Sequence, residues 1–263
     1  MAKEYDILII DDEQVIIDSV IKIASMEGFT AIGELNALTA LNRLQKEKFK
    51  LIICDIMMPE MDGFKFIAET ERLKIDIPII ITTGYTTVEN AVESLYQGAI
   101  GFIPKPFTTD ELISIIHRGL NYWKLLKSKQ AKNIEFVYVP CPAKYYRLGY
   151  STWLNKENDE TVLIGATDLY TKTINTIKKI NLMNVNDNAV QGQACAWFET
   201  EENLTHHLLS PLSGKIISIN EKLITNPQLI EKDPYFEGWI YRFIPTEYEY
   251  EIKKLIPCSS DRS

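Results

Sequence analysis

Cysteine is scarce in this chain. Cys54, Cys141, Cys195 and Cys258 are the only four among 263 residues, and no two stand at the spacing of a zinc site or a disulfide frame. That usage suits reduced thiols in a cytosolic chain. Basic runs are missing as well. A net charge of −8 without a long Lys/Arg block argues against a nucleic-acid backbone or an anionic membrane as the main partner, and favours a protein or a small ligand. The apolar run in "MAKEYDILIIDDEQ" is too short for a signal peptide and is followed at once by acids, and no later stretch approaches a membrane span. The expected location is the cytoplasm. The second half has neither a nucleophile–base pair nor a glycine-rich phosphate loop, and no lysine occurs between Lys179 and Lys215.

What is present falls into two textures, with 46% hydrophobic residues supplying enough apolar side chains for two domains with real cores. From Tyr5 to about Lys127, the β-branched runs "YDILII", "KLIICD", "IPIIIT" and "GFIP" alternate with amphipathic segments such as "VIIDSVIKIASMEG" and "VENAVESLYQG". Continuous apolar strands between helices predict a parallel sheet covered on both faces, an α/β doubly wound domain. After about Asn133, strand-like pieces such as "EFVYVP", "GQACAWFE" and "GKIISIN" alternate with turns. They predict a mostly β module with only short helices. The cationic "KLLKSKQAKN" between the halves reads as a helix end running into a linker.

The chemically suggestive residues of the first half stand at the C-terminal ends of predicted strands. Asp11 and Asp12 follow "ILII", Asp55 follows "LIIC", Thr83 follows "IIIT" and Lys105 follows "GFIP". In an open α/β sheet those ends line the ligand crevice. With the first and third strands adjacent, three carboxylates converge, and their repulsion calls for a cation. Mg2+ suits oxygen ligands while leaving room for water and phosphate. Thr83 can then hydrogen-bond a phosphoryl oxygen and Lys105 can neutralise charge during transfer. Singly, each Asp reads more simply as a helix N-cap and Lys105 as a solvated lysine. The joint pattern outweighs those readings.

The stretches "ILIIDDE", "LIICDIMMPEMDGF" and "IPIIITTGYTTVENAVESLYQGAIGFIPKPF" closely resemble the response-regulator receiver domain of two-component signalling. The resemblance implies a flavodoxin-like fold with a five-stranded parallel sheet over residues 1–125. It implies Asp55 as phosphoacceptor, Asp12 as a direct Mg2+ ligand with Asp11 alongside, and the backbone carbonyl of Met57 as a further ligand. It also makes Thr83 the switch hydroxyl, Phe102 the aromatic that reorients, and Lys105 the phosphate partner, with a cis Lys105–Pro106 bond. Gly84 departs from the small methyl-bearing residue of many members, which implies more loop freedom.

Residues 136–258, after a helical extension and linker at 126–135, carry "GATDLYTK", "AVQGQACAWFE", "SPLSGKIISINEKL" and "TNPQLIEKDPYFEGWIYRFIP". These resemble the glycine cleavage system H-protein, a lipoyl-type barrel-sandwich of β-strands. Counting back from "SPLSG", the position of the lipoyl lysine falls on Asn203. An amide nitrogen is delocalised into its carbonyl and cannot attack an activated acyl group. No lipoate is therefore expected, and "EENLT" reads as a carrier hairpin reduced to a polar surface loop. Lys215 falls in the strand after the turn. His206 and His207 point to opposite faces if they lie on a strand, and are expected to be exposed hairpin residues.

The two halves together imply a response regulator phosphorylated on Asp55 by a sensor histidine kinase, with the H-protein-like module acting through an unnamed protein target. It is no enzyme beyond assisting its own phosphotransfer and dephosphorylation, and a homodimer through the receiver is left open. The alternative is a regulated carrier or adaptor in glycine-cleavage or lipoate-linked metabolism, which the missing lysine opposes. A DNA-binding role lacks a basic recognition helix. The last receiver helix, with Leu112, Ile115, Ile116, Leu120 and Trp123 at helical spacing, should pack near Phe102.

Overall fold

A computed structural model describes residues 3–84, 87–130, 138–157 and 160–262. The strand β1 (Glu4–Ile10) pairs in parallel with both β2 (Ala31–Glu34) and β3 (Lys48–Asp55). Beyond β3 lie β4 (Ile79–Thr83) and β5 (Gly101–Pro104), giving the order β2-β1-β3-β4-β5. Every residue of β4 is buried, as a strand covered on both faces requires. This is the doubly wound, flavodoxin-like sheet that the alternating runs predict, and its order reverses between β1 and β3.

The helices α1 (Gln14–Met26), α2 (Ala37–Leu44), α3 (Gly63–Arg72), α4 (Val88–Tyr96) and α5 (Thr109–Gln130) connect or follow these strands. Three starts are set by side-chain caps: Asn36 accepts from Thr39 N at 2.9 Å, Asp62 from Lys65 N at 2.8 Å and Thr108 Oγ1 from Glu111 N at 3.2 Å, satisfying amides that a helix start leaves unpaired. In α1, Ile17, Val20 and Ala24 are buried at spacings of three and four. The helix α5 buries Leu112, Ile116, Leu120 and Leu125. A Cβ on Gly119 would lie 2.6 Å from Leu51 Cδ1, and one on Gly101 would lie 3.0 Å from Ile115 Cδ1. Glycine at both places lets this helix approach the sheet closely. The expected packing of this helix on Phe102 is not found: Phe102 packs with Ile52, Cys54 and Ile81, which alternate along their strands with the Leu51 and Ile80 side chains that face α5, so strand alternation turns it to the other face of the sheet. Trp123 is only half-buried and takes the Lys50 ammonium over its ring at 5.6 Å. Of the expected extension at 126–135, residues 126–130 are helical and 131–135 lie outside the described residues.

Compactness does not follow the chain order. The first compact unit comprises Met1–Thr87 and Gln97–Ile134, and the second comprises Val88–Tyr96 and Glu135–Ser263. In the second, strands pair antiparallel in two sheets. The larger contains β6 (Tyr146–Leu148), β7 (Thr152–Lys156), β8 (Val162–Ala166), β10 (Asn188–Ala189), β13 (Gly214–Ile219), β14 (Trp239–Pro245) and β15 (Ile256–Pro257). The smaller contains β9 (Ile177–Leu182), β11 (Ala194–Thr200) and β12 (Thr205–Leu209).

Ile164, Ile216 and Phe243 from one sheet share a buried cluster with Ile180, Phe198 and Leu208 from the other. The buried Tyr241 hydroxyl joins the sheets by donating to Cys195 O at 2.7 Å. The expected short helices are α6 (Asp168–Thr173), α7 (Lys222–Thr225), α8 (Leu229–Lys232) and α9 (Tyr248–Glu251). Such a mostly antiparallel sandwich is the architecture expected of an H-protein-like module. No described helix is long and apolar enough to cross a membrane.

Candidate functional site

The strand ends bring the acidic residues together as the alternation of strands and helices requires. Asp11 comes just after β1, Asp55 ends β3, Thr83 ends β4 and Lys105 follows β5, so all four stand at the same edge of the sheet. Lys105 Nζ donates to Asp11 Oδ2 at 2.6 Å and to Asp55 Oδ1 at 2.7 Å. The second Asp55 oxygen accepts from Met57 N at 2.6 Å, and Asp11 Oδ1 accepts from Glu13 N at 3.1 Å. Asp11, Asp55 and Thr83 are buried, whereas Asp12 is exposed. Lys105 N donates to Thr83 O at 2.8 Å, tying the lysine to the end of β4. The Lys105–Pro106 bond is cis, and Phe102 is half-buried against the sheet core.

One ammonium serves two buried carboxylates, so the triad retains one negative charge. Burial pushes the Asp11 carboxyl above the usual range, and the hydrogen bond and charge of Lys105 only partly oppose it. Burial also works against the charge of Lys105, but its bonds to Asp11 and Asp55 outweigh that and hold its pKa above the ordinary lysine value. The buried Cys54 thiol next to Asp55 is pushed well up, first by burial and then by the charges of Asp55 and Asp11.

Carboxylate oxygens facing one another around a cation are the donor chemistry that a small hard divalent ion uses. Among the described residues, no three acidic, histidine or cysteine side chains already form a ready-made cage. Asp11 and Asp55 are held by the lysine, and Asp12 is the exposed third carboxylate next to them.

Gly63 belongs to the site as well. A Cβ there would lie 2.6 Å from Asp55 O and 3.0 Å from Ile56 Cα, while Gly63 N donates to Ile56 O at 2.9 Å. Only a glycine lets α3 begin against the backbone of the acid. The signal was the "MDG" following the acid in "CDIMMPEMDGF", a turn-and-cap pattern whose glycine carries no chemistry of its own to draw attention to it. Gly84, by contrast, has no atom within 4 Å of the place a Cβ would take, so an alanine would fit there.

In the second unit, Asn203 stands exposed at the tip of the β11–β12 hairpin in left-handed backbone conformation, φ 60°. Its N–H donates to Thr200 O at 3.0 Å, and Thr200 N donates to Leu204 O at 2.9 Å, closing the turn. Lys215 lies on β13, opposite Asn188 and Ile244. His206 and His207 do point to opposite faces of β12. The expectation of exposure holds for His207, whose ring meets Trp197 edge-on with centroids 6.4 Å apart, but His206 is buried. Strand alternation places it on the same face as buried Leu208, so it follows the core side of the strand.

A doubly wound sheet whose strand ends join two buried aspartates, a lysine and a threonine defines a receiver-type signalling domain, here continued by an antiparallel carrier-type sandwich. The response regulator receiver domain matches residues 7–117, and the glycine cleavage H-protein matches residues 144–260. Transcriptional regulatory protein ZraR of Klebsiella oxytoca is 34% identical over 130 residues, which are 48% of this chain and 29% of that protein. The glycine cleavage system H protein of Coxiella burnetii is 34% identical over 115 residues, 44% of this chain and 87% of that protein. A CheY-like receiver domain protein from Methanospirillum hungatei has 32% identity and a TM-score of 0.43, covering 47% of this chain and 98% of that one. The chain thus belongs to the response regulator receiver family through its first half and to the glycine cleavage H-protein family through its second. It spans less than a third of the ZraR protein it matches.

Proposed function

We propose that Asp55 accepts a phosphoryl group from a sensor histidine kinase and that the H-protein-like module acts, without lipoate, by binding a downstream protein. The observation that supports this best is the Lys105 bridge, which holds Asp55 and Asp11 at 2.7 and 2.6 Å from one ammonium at the ends of three strands. An Asp55 carboxylate oxygen attacks phosphorus, an O–P bond forms, the P–N bond of the donor phosphohistidine breaks, and the imidazole leaves with the electron pair. Lys105 stays close enough to neutralise the added charge, and the Thr83 hydroxyl can donate to a phosphoryl oxygen. Asp11, Asp12, Asp55 and the Met57 carbonyl would hold Mg2+, which when bound supplies charge neutralisation between acid and phosphate.

The chain catalyses nothing beyond its own phosphotransfer and dephosphorylation in this reading. The receiver match supports a histidine-kinase partner and the H-protein match supports the fold of the output module. The exposed tip of the hairpin offers an amide at position 203 and no amine, which opposes the carrier role. Intact-mass measurement after incubation with acetyl phosphate and Mg2+ tests the acceptor: wild type gains one phosphoryl group and Asp55→Asn gains none. Equal incorporation in both proteins sinks the assignment.

A further inference from the structure

The four cysteines are far apart in the sequence, and no disulfide joins any of them. The fold of the second unit nevertheless gathers two. Cys141 and Cys258, 4% and 0% exposed, share one small buried cluster with Tyr145, Trp153 and Tyr235. Along the backbone, Tyr145 connects them. Its N–H donates to Pro142 O at 2.9 Å, closing the turn that follows Cys141, and its carbonyl accepts from Cys258 N at 2.9 Å. Tyr235 faces both thiols. Its hydroxyl donates to Val139 O at 2.9 Å and accepts from Asp168 N at 3.1 Å, while the Asp168 carboxylate takes Val139 N at 2.6 Å. The segment leading into Cys141 is thereby fixed on that ring. Burial is the main reason that the Tyr235 hydroxyl is held above its ordinary value, and among the lesser influences both Cys141 and Cys258 act on it. The two sulfurs therefore lie around one phenol oxygen.

Cys54 and Cys195 are placed differently. Cys54 is in β3, between β1 and β4, and Cys195 is in β11, between β9 and β12, so exposing either thiol means opening the middle of a sheet. Cys258 directly follows β15, a two-residue strand at the edge of the larger sheet, paired with β6 through Ile256 opposite Arg147 and Pro257 opposite Tyr146. Pro257 has no N–H to give to that pairing. Cys141 lies outside the strands, between Pro140 and Pro142. Thin edge elements open well below the free energy of global unfolding, so this pair can meet a small reagent while both sheets stay closed.

We propose that Cys141 and Cys258 form an oxidisable pair, which closes into a reversible disulfide and clasps β15 to the sandwich when low-molecular-weight disulfides accumulate. Cys258 is one backbone hydrogen bond from Tyr145 and Cys141 is one residue from a second, so a small shift of the loop at Cys141 sets the Cα atoms at the about 4.4–6.8 Å that a disulfide demands. Glutathione disulfide is the oxidant. One cysteine gives up its proton, its thiolate attacks a glutathione sulfur, and a mixed disulfide forms as the glutathione S–S bond breaks and one glutathione leaves as thiolate. The second cysteine, also deprotonated, attacks the protein sulfur of the mixed disulfide and releases the other glutathione. The protein loses two protons and two electrons, which leave in two molecules of reduced glutathione. In a reducing glutathione pool the pair stays open.

The test takes the wild-type full chain through glutathione buffers from fully reduced to fully oxidised, traps remaining thiols by alkylation in urea, and maps the digested protein by mass spectrometry. The expected product lacks two hydrogens and carries one cross-link, between the peptides holding Cys141 and Cys258, with Cys54 and Cys195 alkylated. Dithiothreitol reverses it. The urea midpoint of the oxidised protein rises, because the link restricts the unfolded chain, and the amides of 146–148 and 258 exchange more slowly. Cys141→Ala and Cys258→Ala should each lose both the cross-link and the midpoint shift. The linkage is decided on wild type, so a variant that fails to fold does not leave it open. Four alkylated thiols in every buffer, glutathione adducts without closure, or a cross-link engaging Cys54 or Cys195 overturns the pair. A Cys141–Cys258 link that forms only in unfolded protein, or that changes neither midpoint nor exchange, overturns the clasp.

Discussion

The aspartate pocket of the first unit and the hairpin tip of the second invert each other. In the pocket, charge is buried and held: Asp11 and Asp55 are 1% and 3% exposed and share one lysine. At the tip, Asn203 is exposed and uncharged, and its N–H is bonded within the turn. The pocket forces like charges together around one lysine, the arrangement on which the proposed phosphoryl acceptance rests. The tip presents an exposed amide and no amine. If residue 203 is the position a carrier would modify, the fold has been kept without the reactive group, and a lone exposed side chain on a turn can be exchanged in that way without disturbing packing.

The strongest way to break the contrast is to remove the shared cation. Lys105→Ala leaves two buried carboxylates unpaired and should cost about 3–5 kcal/mol at neutral pH. Asp11 is already held above its ordinary value of 3.8, and without the lysine its neutral form is favoured further. An acid with a raised folded pKa loses stability as pH climbs from its unfolded value through its folded one. The deficit should therefore grow from about pH 4 toward neutrality. Wild type has a second limb, because Lys105 is raised above 10.5: its contribution is complete below that pH and is lost as pH rises through the folded value. Urea unfolding at acidic, neutral and strongly alkaline pH reads both limbs, and a pH-independent deficit would mean the triad is not what the lysine stabilises.

A smaller effect is expected at Gly63. Its substitution by alanine puts a methyl carbon 2.6 Å from Asp55 O, so α3 or the acceptor backbone must shift, at about 1–3 kcal/mol. Phosphoryl incorporation should slow with it, whereas Gly84→Ala, where open space is available, should leave stability unchanged. Parallel denaturation and incorporation measurements separate the two glycines.

The different legibility of these features in the sequence has physical causes. Strands buried on both faces must be apolar throughout, so "KLIICD" and "IPIIIT" announced a parallel sheet, and four of its strand ends located the pocket. The hairpin was legible from "SPLSG" and the distance back to residue 203. The burial partners of α4 were not, because Val92 and Leu95, which share a buried cluster with Leu148, show in the sequence that one face of a helix is apolar but not which surface covers it. Gly63 was overlooked because a missing side chain acts through what it leaves room for. The burial of His206 was legible in principle, since "THHLL" alternates and Leu208 fixes the inward face.

Cys54 sharpens the comparison from the pocket side. Its thiol is buried and pushed well above its ordinary value, so thiolate, the reactive form, is scarce at neutral pH. A small maleimide should label native protein at Cys54 far more slowly than urea-unfolded protein. Rapid native labelling would show that the apolar cluster beneath β3, where Cys54 lies with Ile52 and Ile81, opens to solvent.

The smallest change in stability is expected at the hairpin tip. Asn203 occupies left-handed backbone at φ 60°, which asparagine tolerates better than most residues because its short side chain bonds locally. Lysine lacks that advantage, yet the position is exposed and the turn is closed by backbone atoms of Thr200, Asn203 and Leu204. Asn203→Lys should therefore cost no more than about 1 kcal/mol, below the left-handed penalty at a site with no local relief, and should leave the sandwich intact. Its chemical consequence is all-or-none. The variant presents a primary amine where wild type presents an amide, on a hairpin framed by β11 and β12. Co-expression with a lipoate ligase, followed by intact-mass analysis, should give an adduct on the variant and none on wild type. An adduct on wild type would place the attachment on another lysine and restore the carrier reading. If the variant folds but stays unmodified, loss of the amine is not the only change, and the acidic neighbours Glu201 and Glu202 become the next residues to exchange.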